Sequence, residues 1–132
     1  MKQGKLTVPE LKKECDKILT PITKLIYPKC EAGCGSNTQV GHHWVEKSRS
    51  ANLRYNIDNL VGLCNFCHGK IHNLYRNNVI QGVDLANHII NKRGIEWHEE
   101  MKALQSIEIK PNKAFYESEW ERLQLIHKQY EK

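Results

Sequence analysis

No run of apolar residues in this 132-residue sequence is long enough to cross a membrane. Residues 1–7 also lack the apolar segment of a secretion signal. Aromatic residues make up only 8% of the chain, and neither internal repeats nor low-complexity tracts occur. These absences argue against membrane proteins and repeat proteins. We therefore expect a soluble cytoplasmic protein whose residues 1–132 form a single domain.

The charge of the chain is unevenly distributed. The formal net charge is +5, and the excess of Lys and Arg lies in residues 1–30 and 64–93. Residues 31–63 are balanced, whereas residues 94–132 are slightly acidic. Such basic segments suit a partner with a phosphate backbone that approaches the protein from one side. The alternative is a basic soluble protein with no such partner.

Four of the five cysteines form two short-spaced pairs, Cys30 with Cys34 and Cys64 with Cys67. In a reducing compartment such pairs are more typical of metal ligands than of disulfides. A structural zinc ion takes four ligands in a tetrahedron, usually from two such pairs. We therefore predict a Zn²⁺ site formed by these four cysteines. The fifth, Cys15, lies at helical spacing among apolar residues, which predicts a small buried side chain.

Two other metal sites compete with the four-cysteine site. In the first, one cysteine pair binds the ion together with His68 or His72, and the other pair remains as free thiols. In the second, Cys64, Cys67, His68 and His72 form one site. The adjacency of Cys67 and His68 makes that geometry awkward, and the first cysteine pair is then unexplained.

Four of the seven histidines lie in the same third of the chain as the cysteine pairs. Hydrolysis of a phosphodiester needs a base that deprotonates water and a cation that takes up charge on the phosphate. Imidazole suits the role of the base because its reference pKa of about 6.5 leaves the ring largely neutral, and so able to accept a proton, at neutral pH. His43 could be this base, while His42, His68 and His72 could supply three nitrogen ligands to a divalent ion. Asn59 could fix the loop that carries His43.

Hydrophobic periodicity predicts two strands and a helix around these residues. Residues 38–45 and 60–63 should be strands, residues 47–56 a loop and residues 66–75 a helix. On that helix His68 and His72 would project about one turn apart. Because neighbouring strand residues point to opposite faces, the adjacent pair of histidines is weak evidence by itself.

The flanking segments have helical periodicity. Thr7 should cap a helix over residues 8–19, and Pro21 should introduce a kink or a second short helix over 21–26. Further helices are predicted over residues 83–92, 97–107 and 114–130. The predicted fold class is α+β, in three parts: an N-terminal helical segment, a zinc-braced ββα core and C-terminal helices, over residues 1–29, 30–78 and 79–132.

The cysteines, histidines and asparagine described above resemble the HNH, or ββα-metal (His-Me finger), endonucleases that have an embedded zinc site. The three name-giving positions fall on His43, Asn59 and His68. The resemblance implies that His43 is the general base and Asn59 the orienting residue. It also implies that His42, His68 and His72 bind a catalytic Mg²⁺ or Mn²⁺, or another divalent ion. The expected products have 5′-phosphate and 3′-hydroxyl ends.

A broader similarity, spanning roughly residues 30–130, is to the phage NinG/Rap recombination proteins, which are similar to nucleases of branched DNA. It rests on Leu53-Arg54-Tyr55-Asn56, Asn59, the second cysteine pair, Gly94 and Trp97. The sequence departs from that family in having three residues between Cys30 and Cys34. It also has histidines at positions 42, 68 and 72, where that family tends to have Gly, Asn and Ser. In these positions the chain is closer to a general HNH nuclease.

The resulting prediction is a metal-dependent DNA endonuclease, acting on branched or recombination-intermediate DNA of a phage in the host cell. The side chains predicted to contact phosphate are Lys47, Arg49, Arg54, Lys70 and Arg76. For Arg49 and Arg54 the alternative is packing within the loop. A zinc-stabilised DNA-binding module without catalysis is the competing function. Cleavage of two strands of a junction would favour a homodimer.

Overall fold

The computed structural model describes residues 6–46, 50–72 and 79–131, without the side chains of residues 72 and 79–83. Within these ranges the elements are α1 (Val8–Ile26), β1 (Val40–His43), α2 (Ala51–Arg54), a 3₁₀ turn (Ile57–Asn59), β2 (Leu60–Leu63), α3 (Asn65–His72), α4 (Val79–Arg93), α5 (Ile95–Gln105) and α6 (Lys113–Tyr130). This helix-rich chain with a small antiparallel sheet confirms the predicted α+β class. No helix in the described ranges is long and apolar enough to cross a membrane.

Helix α1 begins with the predicted capping box. The Glu10 backbone N–H donates to the Thr7 hydroxyl at 3.3 Å, and the Thr7 N–H donates to the Glu10 carboxylate at 2.8 Å. The helix does not end at residue 19 but continues through Pro21 to Ile26. Ile22, directly after the proline, is fully buried in the core. This tertiary packing outweighs the backbone hydrogen bond that proline removes.

Strands β1 and β2 pair antiparallel, with Val40 opposite Leu63 and His43 opposite Leu60. The second strand has the predicted bounds, whereas the first is shorter than the predicted 38–45. Helix α1 packs against this hairpin at Gly41, whose N–H donates to the Thr20 hydroxyl at 3.2 Å. A Cβ atom on Gly41 would lie 2.6 Å from Thr23 Oγ1, so only glycine allows this close approach.

A core between α1 and α6 forms beside the sheet. Its buried residues from α1 are Leu11, Cys15, Leu19 and Ile22, which pack with Tyr55, Leu60, Tyr116 and Leu123. Burial raises the pKa of the Cys15 thiol to about 12, so the fifth cysteine is a neutral core residue, as predicted. The terminal helices therefore pack directly on the segment that carries the histidines.

The predicted helices differ from the observed ones mainly at their ends. The predicted ranges 83–92, 97–107 and 114–130 correspond to α4, α5 and α6, respectively. The predicted end of the helix over 66–75 falls on residues outside the described ranges. The expected loop over 47–56 contains α2, capped by Ser50, whose hydroxyl accepts from the Leu53 N–H at 3.3 Å.

Candidate metal centre and active site

The four predicted cysteines converge on one point. The Sγ atoms of Cys30, Cys34, Cys64 and Cys67 all lie within 4.8 Å of one another, and those of Cys34 and Cys64 are 3.7 Å apart. A tetrahedron with metal–sulfur distances of about 2.3 Å has sulfur–sulfur edges of about 3.8 Å. The sulfur arrangement therefore fits a zinc site.

Two tight turns bring the sulfurs together. Gly33 and Gly35, on either side of Cys34, have φ angles of 80° and 87°, in the region that glycine adopts without strain. In the second turn the Cys67 N–H points to Cys64 Sγ at 3.4 Å. Strand β2 leads directly into Cys64, and α3 starts one residue later. The cluster therefore joins the end of the sheet to the start of the helix.

The thiols of the cluster differ in burial and in pKa. Cys30, Cys64 and Cys67 are buried, whereas Cys34 is exposed. Burial raises the pKa of the Cys30 and Cys67 thiols, and the Ser36 backbone N–H helps to lower the pKa of Cys34 to about 6. The buried thiols are neutral by themselves and would become thiolates only beside a cation. Four sulfur ligands suit a soft or borderline ion such as Zn²⁺.

A buried ion pair lies directly beside the cluster. The Glu31 carboxylate accepts two hydrogen bonds from the Arg93 guanidinium, at 2.7 and 2.8 Å, and one from the Gly62 N–H at 2.7 Å. The side chains of Arg93 and Glu31 are only 9% and 3% exposed. The guanidinium also lies 4.5 Å from the centre of the Tyr27 ring and 4.8 Å from that of Trp97. This pair fixes the first cysteine turn against β2.

Arg93 also reaches the turn that contains Asn59. Its guanidinium donates to the carbonyl oxygens of Asp58 at 3.0 Å and Leu60 at 2.8 Å, on either side of Asn59. The Trp97 indole donates to the same Asp58 carbonyl at 2.8 Å. Sequence reasoning missed Arg93 because it lies far along the chain, where no spacing relates it to the cysteines or histidines.

Asn59 is completely buried, and its amide holds the loop after β1. Its Oδ1 accepts from the Val45 N–H at 2.8 Å. Its Nδ2 donates to the carbonyls of Val45 at 3.0 Å and Leu53 at 3.3 Å. These bonds join the chain two residues beyond His43 to the end of α2. Asn59 therefore links the loop after β1 to the end of α2, and its orienting role stays a prediction.

His43 is the last residue of β1, and its ring contacts the end of α2. Nε2 lies 2.9 Å from the carbonyl oxygen of Arg54. Because a carbonyl oxygen can only accept a hydrogen bond, the ring nitrogen must donate. The neutral ring therefore carries its proton on Nε2, and Nδ1 is its basic nitrogen.

Two of the three predicted imidazole ligands lie side by side. The ring centroids of His42, on β1, and His68, on α3, are 5.1 Å apart, with an interplanar angle of 67°. The sheet and the helix thus bring together nitrogen donors that are 26 positions apart in the sequence. His72 is the last residue of α3, but its side chain lies outside the description.

The predicted phosphate-contacting residues lie in different surroundings. The Lys70 ammonium lies 4.7 Å from the centre of the exposed Phe66 ring on α3. The Arg54 guanidinium donates two hydrogen bonds to the Asp16 carboxylate on α1, at 3.1 and 2.7 Å, and its contact with phosphate stays a prediction. Three predicted residues, Lys47, Arg49 and Arg76, lie outside the described ranges.

Residues 29–74 match the family described as HNH endonuclease, and this segment contains both cysteine turns, β1, β2 and α3. No curated protein and no solved structure matches the chain. The matched segment, about a third of the chain, thus coincides with the part that was expected to form the ββα core. The match shows that this segment is similar to the HNH endonucleases.

Proposed function

We propose that this protein is a metal-dependent DNA endonuclease that hydrolyses phosphodiester bonds. One observation carries the proposal: the segment that matches the HNH family places His42 beside His68 and bonds His43 through Nε2 to the Arg54 carbonyl. This arrangement provides a pair of nitrogen donors and a separate, oriented base. Both are needed for attack of water on phosphorus.

His43 is the proposed general base. Because its Nε2 proton is committed to a backbone carbonyl, the proton taken from water goes to Nδ1. The same carbonyl stabilises the imidazolium that then forms, since it accepts a hydrogen bond from the charged ring. Asn59 keeps this geometry by tying the loop after His43 to the end of α2.

His42 and His68 are the proposed ligands of a catalytic divalent ion, with His72 as the third. Adjacent imidazoles fit a divalent metal by their donor chemistry. When bound, such an ion supplies positive charge to the phosphate and the departing 3′ oxygen. Mg²⁺ and Mn²⁺ are the proposed ions. The four cysteines hold a separate Zn²⁺ that braces the fold and takes no part in the reaction.

The narrower part of the proposal concerns the DNA. The likeness to phage recombination proteins supports branched DNA as the preferred substrate, bound by a homodimer. Within the described ranges, Lys70 on α3 is the proposed phosphate contact, and its ammonium lies next to the exposed Phe66 ring. Lys47, Arg49 and Arg76 are proposed as further contacts from sequence alone.

The test is a cleavage assay with purified protein on supercoiled plasmid, linear duplex and a four-way junction, each with Mg²⁺ or Mn²⁺. Wild type should cleave and leave 5′-phosphate ends, and His43→Ala should not. His127→Ala, on α6 and outside the matched segment in sequence, is the control histidine and should cleave like wild type. If wild type binds DNA but leaves every substrate intact, the protein is a zinc-stabilised binding module instead. Equal cleavage by His43→Ala would also contradict the proposal.

A further inference from the structure

We propose that Asp16 and Arg122, both outside the matched segment, are positioning residues that hold the backbone carbonyl to which His43 bonds. This inference rests on the proposed role of His43 as the base. Asp16 lies on α1 and Arg122 on α6. Each acts through the end of α2.

Three consecutive carbonyl groups at the end of α2 each accept a hydrogen bond from a different part of the chain. The donors to Leu53, Arg54 and Tyr55 are Asn59 Nδ2 at 3.3 Å, His43 Nε2 at 2.9 Å and an Arg122 guanidinium nitrogen at 2.7 Å, respectively. Because these carbonyls belong to adjacent peptide units, a displacement of one moves its neighbours. The carbonyl that orients His43 is therefore the middle member of a fixed set.

Asp16 fixes this set from the side of α1. Its carboxylate accepts two parallel hydrogen bonds from the planar guanidinium of Arg54, and this pairing fixes both the orientation and the distance of the guanidinium. Residue 54 is thereby held twice, by its side chain to α1 and by its carbonyl to His43. The two side chains are 34% and 21% exposed, so the pair contributes more to geometry than to stability.

Arg122 fixes the set from the side of α6. Glu119, one turn earlier on α6, binds the same guanidinium and orients it towards the Tyr55 carbonyl. Tyr55 is 1% exposed, and the centre of its ring lies 6.3 Å from the ring centres of Phe115 and Tyr116. Tyr55, the residue that follows Arg54, is therefore anchored to α6 by both its carbonyl and its side chain.

The direct test uses the free protein, so it does not depend on cleavage. Long-range ¹H–¹⁵N NMR spectra of the histidine rings, recorded where the rings are neutral, report which nitrogen carries the proton. Wild-type His43 should be the Nε2–H tautomer. Asp16→Asn and Arg122→Gln should each give a mixture of tautomers. Glu14→Gln removes a comparable carboxylate from α1, one that pairs with Lys17 at the surface, and should leave the spectrum unchanged. Wild-type spectra for both Asp16→Asn and Arg122→Gln would overturn the proposal.

Kinetics provide the second readout. Asp16→Asn should lower kcat on the order of tenfold through misplacement of the base, with KM little changed. Asp16→Glu, which keeps the carboxylate, should recover part of the loss. In a His43→Ala background Asp16→Asn should have no further effect on the residual rate.

Two outcomes would contradict a positioning role. Equal losses from Asp16→Asn with and without His43 would show that Asp16 acts independently of the base. A rise in KM alone would assign the pair to DNA contact. If wild type does not cleave DNA at all, the proposed function fails, but the NMR result still decides whether Asp16 and Arg122 hold the ring.

Discussion

The sulfur cluster and the imidazole site lie in the same segment but are built in different ways. The cluster takes all four ligands from two tight turns within residues 30–67, and three of its cysteines are buried. The imidazole site joins His42 and His68, both only partly buried, and the ring of the proposed base, His43, bonds to the Arg54 carbonyl at the end of α2. The residues of the sulfur cluster thus come from two short stretches of the sequence, whereas the residues around the imidazole site come from distant parts of the chain.

The two sites also differ in the number of ligands that they offer to a metal ion. Four sulfurs complete the coordination of zinc and leave no position for a substrate, which is typical of a structural ion. Two or three imidazoles leave positions that water and phosphate can occupy, which is typical of a catalytic ion. Substitutions in one site or the other should therefore separate loss of the structural zinc from loss of cleavage.

The largest expected effect is that of Cys67→Ser. Removing one thiolate ligand should abolish stoichiometric zinc and lower the free energy of unfolding by more than about 5 kcal/mol, since metal binding and folding are coupled. Zinc content by elemental analysis and thermal unfolding by circular dichroism measure this. Cys15→Ala, at the buried cysteine outside the cluster, is the control and should keep its zinc. Equal zinc in Cys67→Ser and wild type would contradict the four-cysteine site.

His43→Ala should show the opposite pattern. Cleavage should fall about 10³-fold through loss of general-base catalysis, while zinc content stays at the wild-type value. Single-turnover cleavage and elemental analysis of the same preparation measure both. A variant that loses zinc together with activity would mean that the two sites are not separate.

Glu31→Gln tests the link between the two regions. It leaves the buried Arg93 guanidinium without its charged partner, which should cost about 3 kcal/mol of unfolding free energy. Urea unfolding measures this. Glu99→Gln removes the exposed partner of Lys102 and should change stability very little. If the two variants are equally stable, the buried pair is not a structural link.

Phe66→Ala should have the smallest effect. The ring lies between Cys64 and Cys67 in sequence but is 70% exposed. Unfolding free energy should change by less than about 0.5 kcal/mol, as for most surface substitutions. Zinc content should also stay constant. A marked loss of either would show that the cluster depends on more of its turn than the sulfur ligands.

Local patterns were sufficient to predict the parts of the molecule that are built locally. The spacing of the cysteines predicted their convergence, and the short apolar run of residues 60–63 predicted β2 with its observed bounds. Helix α2 was missed because four residues are too few to show a period. Helix α1 continues through Pro21 because Ile22 packs in the core, and local sequence patterns do not predict such packing.

The contacts that support the imidazole site could not be predicted. Asp16 and Arg54 are 38 positions apart, Glu31 and Arg93 are 62 apart, and Tyr55 and Arg122 are 67 apart. Charged residues at such separations are common on solvated surfaces, so only the fold shows which of them pair. The histidines could be found in the sequence, but the groups that orient His43 could not.

The most direct test of two separate metal sites is chelation followed by metal restoration, with zinc content and DNA cleavage measured on each sample. After mild treatment with EDTA, one zinc per chain should remain and cleavage should be lost. Added Mn²⁺ or Mg²⁺ should then restore cleavage with no change in zinc. Cleavage that continues with zinc as the sole ion, or that disappears only in proportion to the zinc removed, would contradict the account.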